Sequence, residues 1–297
     1  MKASVIIPTY NRANILAHTL HSLTQQQLAT GQSMEVLVVD DGSADHTEAV
    51  VDLFSQQLPL TYLWQDDRGN RTGEARNKAI DRATGDIAVF VDSGMLLASD
   101  CVTAHLATYL RHPEPLAVVG YAYGFEQFNE LDAALWQHVD VDNPDQTIRR
   151  FRNMPAFGDM RDTCYTRCND QIDQLPAPWV FYWTCNVSAR LTDLREVGCF
   201  DLDYDQSWGF EDIDLAYRLQ LAGVRIVLNR NAMAVHLPHA KEDDAFKLQS
   251  QTRNARQFHQ KYNSLQSRLY LETNLMDFND YLIGKGVGKN QPALLSL

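Results

Sequence analysis

Four short apolar runs, Ser4–Ile7, Val36–Val39, Thr61–Trp64 and Ile87–Val91, alternate in the N-terminal third with segments whose apolar residues recur at helical spacing. Uninterrupted β-branched runs of this kind suit strands covered on both faces. Between them, Leu16, Leu20 and Leu23 draw one stripe along a helix over Asn14–Gln27. Asp45–Gln57 reads as a second helix and Thr72–Ala83 as a third, with Ala75, Ala79, Ile80 and Ala83 turned inward. Strand and helix in strict alternation, joined by short links, predict a Rossmann-like, mostly parallel α/β sheet flanked by helices.

The pattern loosens further on. Val118-Val119 marks another strand, but Tyr121–Pro178 holds no period and is broken by Asn143-Pro144, Pro155, Pro176 and Pro178. We read 121–178 as an irregular insertion with long loops, the usual place for a lid or a substrate wall. Order returns near Trp179–Ser188, in a helix over Glu211–Ala222 closed by Gly223, and in strands at Val224–Leu228 and Ala232–His236. From Lys241 the chain is polar and helical, with Phe246, Phe258, Tyr262 and Leu265 as anchors and Gly284, Gly286 and Gly288 marking a flexible end. The expected organisation is a catalytic domain over 1–240 and a helical C-terminal extension over 241–297.

Charge removes one class of function. Lys and Arg total 26 against 38 Asp and Glu, a net charge of −12, so there is no basic field to neutralise phosphates and nucleic acid is not an expected partner. No apolar run approaches the roughly 20 residues of a membrane span. The first residues lead into a strand without a cleavable signal pattern, and the 5 cysteines are expected to be reduced thiols, which together point to the cytoplasm.

In an open α/β sheet, ligands gather beyond the carboxyl ends of the strands. Here those ends carry Pro8-Thr9-Tyr10-Asn11-Arg12, Asp40-Asp41-Gly42-Ser43 and Asp92-Ser93-Gly94. Each alone is ordinary turn chemistry; three on one sheet edge predict a nucleotide-type pocket. A carboxylate such as Asp41 can accept from a base N–H, and Tyr10 can stack on a ring. Neither a phosphate-binding Gly-x-x-x-x-Gly-Lys loop nor a dinucleotide Gly-x-Gly-x-x-Gly turn is present.

With Gly73-Glu74-Ala75-Arg76-Asn77 added, these segments resemble the family-2 glycosyltransferases of GT-A fold. Trp208-Gly209-Phe210-Glu211-Asp212-Ile213-Asp214 resembles the acidic acceptor-side motif of that family and of related galactosyl- and N-acetylgalactosaminyltransferases. The resemblance spans roughly residues 3–240 and leaves the insertion and the tail uncovered. It implies an inverting transferase using a nucleotide-sugar, often a UDP-sugar, with Mn²⁺ or Mg²⁺. Pro8, Thr9, Tyr10, Arg12, Asp41, Arg76, Asp92 and Ser93 would line the donor site. Trp208 and Gly209 would meet the acceptor, Asp212 would be the general base, and Glu211 would bind the acceptor or orient its neighbour.

The chain departs from its relatives at one point: where they read Asp-x-Asp, Asp92-Ser93 is followed by Gly94. One carboxylate is a poor site for a hard cation. The resemblance supplies His236 as a further ligand with His239 close behind, a set that suits Mn²⁺ better than Mg²⁺. Asp212 opens a predicted helix, whose dipole is expected to hold its carboxylate ionised and to lower its basicity.

Other features have blander readings. Cys164-x₃-Cys168 lacks a second pair at zinc spacing. Among Trp179, Phe181, Tyr182 and Trp183, at least two are expected in the core, with one or two left to stack on a sugar. Arg149, Arg150 and Arg152 read as a solvated face, with an acidic acceptor or lipid head group as the alternative. Arg253, Arg256, Lys261 and Arg268 leave peripheral membrane contact open, without an amphipathic anchor. The acceptor class (small molecule, glycan, lipid-linked sugar or peptide) and the oligomeric state are unreadable. A non-catalytic nucleotide-sugar-binding or scaffold protein with a degenerate metal site is the rival reading.

Overall fold

The computed structural model describes residues 1–125, 132–239 and 243–288. Its N-terminal part follows the predicted alternation: β1 (Lys2–Thr9), α1 (Ala13–Thr24), β2 (Ser33–Asp40), α2 (Thr47–Ser55), β3 (Leu60–Trp64), α3 (Thr72–Arg82) and β4 (Ile87–Val91). Pro8 lies inside β1 instead of ending it. The ladder between β1 and β4 runs only from Ala3 to Ile6, so at Pro8 that side is already open and the missing N–H costs no bond. Next come β5 (Met95–Leu97), α4 (Cys101–Arg111) and β6 (Leu116–Tyr123).

The stretch expected to be loops contains short helices: α5 (Asp132–Trp136), α6 (Pro144–Phe151) and α7 (Asp162–Arg167), with single 3₁₀ turns at Pro155–Phe157, Ile172–Gln174 and Pro178–Phe181. They are too short to show a 3.6-residue period, and the prolines that masked them open three of them, Pro144 at the start of α6 and Pro155 and Pro178 at their 3₁₀ turns. Then follow β7 (Asn186–Arg190), α8 (Leu191–Glu196), α9 (Glu211–Leu221) and β8 (Arg225–His236). Gly223 just beyond α9 has φ +85°, as a helix-ending glycine should. The two strands expected at Val224–Leu228 and Ala232–His236 are one strand. Its register against β6 jumps from Gly120↔Asn229 to Tyr121↔Met233, an irregularity that leaves Arg230, Asn231 and Ala232 outside this ladder.

The sheet order is β3-β2-β1-β4-β7-β6-β8-β5. β1 to β4 are mutually parallel where they pair, β7 runs antiparallel to both β4 and β6, and β5 closes the far edge antiparallel to β8. β4 is buried along its whole length, which is why its sequence shows no alternation. The carboxyl ends of β1, β2 and β4 therefore open on one side of the sheet.

The C-terminal residues form α10 (Asp244–Tyr262), α11 (Leu265–Tyr270) and α12 (Phe278–Gly284). The expected starting residue of this tail, Lys241, lies outside the described residues. Two devices dock these helices. Fully buried Asp214 on α9 accepts from Arg218 Nε, Lys261 Nζ and the Tyr262 hydroxyl, each at 2.7 Å. Trp179 packs its buried ring against Tyr217, Phe258, Tyr270 and Phe278 at centroid distances of 5.3–5.9 Å. Phe258 is thus an anchor as expected, whereas Phe246 is 37% exposed and anchors nothing. Among the described residues, no helix is long and apolar enough to cross a membrane.

Candidate active site

A cleft of about 1040 Å³ lies beyond the carboxyl ends of β1, β2 and β4. It brings together Pro8, Thr9, Tyr10, Arg12, Asp41, Arg76, Asp92, Ser93, Trp208, Gly209, Glu211, Asp212, His236 and His239, which is every residue singled out from the sequence. The β1 end is tied to the β2 end by Asn11, whose amide donates to Ser43 Oγ at 2.7 Å and whose Oδ1 accepts from Ala44 N at 2.8 Å. Asn11 has φ +49°, a region that asparagine tolerates. Buried Thr9 aims an Oγ1 without a hydrogen-bond partner at this end of the cleft. Tyr10 is 45% exposed and donates its hydroxyl to Asp67 at 2.9 Å, which leaves the ring open.

Asp41 is held by neighbours the sequence did not announce. Gln65 Nε2 donates to Oδ1 at 2.7 Å, the Arg71 amide donates to Oδ2 at 2.8 Å, and the Arg71 guanidinium lies 3.1 Å away. The carboxylate is fixed before any ligand arrives. Across the cleft, Arg76 is buried and forks between Asp92 Oδ1 at 3.0 Å and Glu211 Oε1 at 2.9 Å, with Phe200 beneath it at 5.4 Å. One guanidinium thus joins the carboxylate beyond the end of β4 to the one that opens α9.

Glu211 and Asp212 are aimed by an unusual turn. Gly209 has φ +75°, and Phe210, the residue before α9, has φ +83°, a conformation costly for a side chain of its size. Fully buried Asn254 of α10 secures the turn, donating to the carbonyls of Trp208 at 3.3 Å and Gly209 at 2.8 Å. Asp212 Oδ2 accepts from the Thr184 amide at 3.4 Å, and Oδ1 from Ile213 N at 2.8 Å. Burial, then the Glu211 charge, push the Asp212 carboxyl up to about 8, against the opposing pull of Arg76 and the two amides. This runs against the expected effect of the helix start: Asp212 is half-buried in the cleft wall, and there the loss of solvent around its charge outweighs the dipole. Asp205 also faces the cleft and is raised to about 6, chiefly by burial, while its Oδ1 accepts from Gly73 N at 3.0 Å.

The histidines sit at the end of β8, with ring centroids 5.0 Å apart, and Phe125 stands 5.0 Å from His236. His239 Nδ1 lies 2.9 Å from the Leu237 carbonyl, to which it donates. Gly94 has φ +107°, and a Cβ there would come within 3.2 Å of Ile15 Cδ1 and 3.3 Å of His239 Nδ1. The left-handed backbone strains any side chain at this position, and a Cβ there would require Ile15 and His239 to give way by a few tenths of an ångström. Among the described residues, no three His, Cys, Asp or Glu side chains converge to hold a cation, and Asp92 Oδ1 is already paired with Arg76. The described residues alone do not build a closed metal site. The five cysteines are free thiols, and the rings of Trp179, Phe181 and Tyr182 are core while half-buried Trp183 lines the cleft.

The C-terminal helices complete the cleft wall through Lys247, Gln251, Arg256 and Tyr270. Asn254, Asp205, Gln65 and Thr184 escaped the sequence reading because each acts through a backbone or a carboxylate far away in sequence; nothing local marks them.

Residues 4–166 match the model of the glycosyl transferase family 2. Validoxylamine A glucosyltransferase of Streptomyces hygroscopicus subsp. jinggangensis (strain 5008) is 35% identical over 267 residues, covering 90% of this chain and 62% of that protein. The uncharacterized glycosyltransferase YfnE of Bacillus subtilis (strain 168) is 32% identical over 262 residues, 80% of this chain and 65% of that protein. This chain therefore spans somewhat under two thirds of the length of these curated relatives. Among solved structures, S. aureus TarS 1-349 in complex with UDP-GlcNAc superposes with a TM-score of 0.60 at 18% identity, over 87% of this chain and 67% of that one. The mannosyltransferase PcManGT from Pyrobaculum calidifontis, in complex with GDP-Man and Mn²⁺, gives 0.60 at 20% identity, over 96% and 74%. These neighbours share the GT-A architecture. With more than half of its length matched by the family model, the chain belongs to glycosyl transferase family 2.

Proposed function

We propose that the chain is an inverting glycosyltransferase that moves a hexose from a UDP-sugar to an acceptor hydroxyl, with Asp212 as general base. The observation that carries this reading is Asp212 itself, a carboxyl raised to about 8 in the same cleft as the Thr9, Asp41 and Asp92 edge. A base with a pKa near working pH takes up a proton more readily than an ordinary carboxylate. The acceptor oxygen attacks the anomeric carbon as its proton passes to Asp212. The bond from that carbon to the diphosphate oxygen breaks, and UDP leaves with the electron pair from the opposite face. Uridine would lie against Thr9, Tyr10 and Asp41. Arg76 holds Asp92 and Glu211 in register, so that donor and acceptor meet in line. Trp208 and Gly209 would border the acceptor. A divalent cation, Mn²⁺ or Mg²⁺, would bind only in company with the diphosphate, whose oxygens must complete the shell that Asp92 and the histidines begin.

The names of the relatives make glucose the first donor sugar to try. The experiment is incubation with UDP-glucose and a panel of polyhydroxylated acceptors, followed by NMR of the product. A β linkage from the α-linked donor is expected, and an α linkage would remove the inverting mechanism. The rival reading, a nucleotide-sugar-binding protein without turnover, draws on Gly94 standing where a second carboxylate is expected; tight UDP binding with no product from any UDP-hexose would favour it.

A further inference from the structure

Behind the cleft wall lies an ion pair that the mechanism does not use. Asp159 and Arg161 are both fully buried at their side chains, and the guanidinium meets the carboxylate as a fork, Nε to Oδ1 at 2.9 Å and Nη2 to Oδ2 at 2.7 Å. Nη1 donates to the Phe181 carbonyl at 2.8 Å, and Asp159 Oδ2 also accepts from Ala122 N in β6 at 3.0 Å. The guanidinium carbon stands 4.7 Å from the centre of the Trp183 ring, whose Nε1 is itself committed to the Val180 carbonyl at 2.8 Å.

Taking two charges out of water costs several kcal/mol each, and an apolar pair of the same volume would often pack as well or better. What such a pair adds is fixed geometry. Here it fixes Trp183, and Trp183 begins the segment that touches the reaction centre from two sides. The next residue, Thr184, gives its amide to Asp212, and the indole packs at 5.2 Å on Phe125, which in turn packs on His236. Arg161 itself is fully buried and faces the Phe125 and Trp183 rings that line the cleft.

We propose that Asp159 and Arg161 are positioning residues, a strut between the end of β6 and the Trp183–Cys185 segment that holds the Thr184 amide and the Trp183 ring in place beside Asp212. The inference rests on Asp212 as the base, and its test separates the two. The double variant Asp159→Leu with Arg161→Met replaces the fork by apolar side chains, and Trp183→Leu removes the ring while leaving the ion pair.

Three quantities are read on the full chain: amide exchange of residues 183–186, UDP affinity by calorimetry, and kcat and KM for UDP release from UDP-glucose. In both variants exchange at 183–186 is expected to rise about tenfold or more while β1 and β4 stay protected. UDP affinity should hold, and kcat should fall about tenfold or more at unchanged donor KM, the signature of misplaced rather than lost groups. Unchanged exchange at 183–186 in both variants, or a loss of UDP affinity in step with kcat, would overturn the strut. Should the double variant fail to fold, Trp183→Leu decides by the same three readings. If the wild-type protein releases no UDP from UDP-glucose, the choice of donor or acceptor has failed, and the exchange measurement still judges the strut.

Discussion

At Asp212 two forces oppose each other, and their balance sets a pH dependence. Burial and the Glu211 charge raise the carboxyl to about 8, whereas Arg76 and two amides pull it down. A base must shed its proton before it can act, so kcat/KM should climb with pH and reach half its plateau near 8. A profile flat from pH 6 to 9, measured as UDP release, would contradict the elevated carboxyl. Gly94 makes the second residue-scale test. Because its φ is +107° and a Cβ would press on Ile15 and His239, Gly94→Asp should lower the melting temperature and leave Mn²⁺-dependent UDP binding no tighter. A variant of unchanged stability that binds UDP with Mn²⁺ more tightly would show that the turn can open to a carboxylate. The strand-end residues that line the cleft were legible because turn chemistry at three strand ends is written locally. The state of Asp212 was not, since beyond the adjacent Glu211 and Ile213 it is set by burial in the fold and by Thr184 and Arg76, distant in the chain.

At the scale of elements, β1, β2, β4 and the first three helices could be read because each buries an apolar run or a single stripe, whereas β3, expected to be covered on both faces, is a half-exposed edge strand. Helices of five to eight residues in the insertion could not be read, and β8 was split in two because its irregular stretch looks like a turn. The C-terminal helices read as a tail, yet Asn254 of α10 holds the Trp208–Gly209 turn and Trp179 clamps three aromatic rings from α10, α11 and α12. Trp179→Ala should therefore destabilise the fold by about 3–5 kcal/mol, read in denaturant melts. Its effect should also reach the cleft by loosening Asn254, so UDP-release activity is expected to fall. A variant that melts like the wild-type protein would show that these helices are docked by Asp214 alone.

For the molecule as a whole, ligands act on stability by mass action. UDP at a hundred times its Kd should stabilise the fold by about 2.7 kcal/mol. Since no three metal-type ligands converge among the described residues, Mn²⁺ alone should give no thermal shift, and Mn²⁺ added to UDP should give more than UDP alone. A shift with Mn²⁺ in the absence of nucleotide would mean that the chain builds a metal site unaided. Donor sugar and acceptor were not legible because the walls that would select them come from the insertion and from the C-terminal helices, where local periodicity carries least.

The central claim is that one cleft both holds a UDP-sugar and deprotonates an acceptor through Asp212. The measurement that tests it most directly is UDP release from UDP-glucose by Asp212→Asn beside the wild-type protein, with UDP affinity taken on both. Turnover should drop on the order of 10²–10⁴-fold while UDP binds as before. An Asp212→Asn protein that turns over at the wild-type rate would contradict the account.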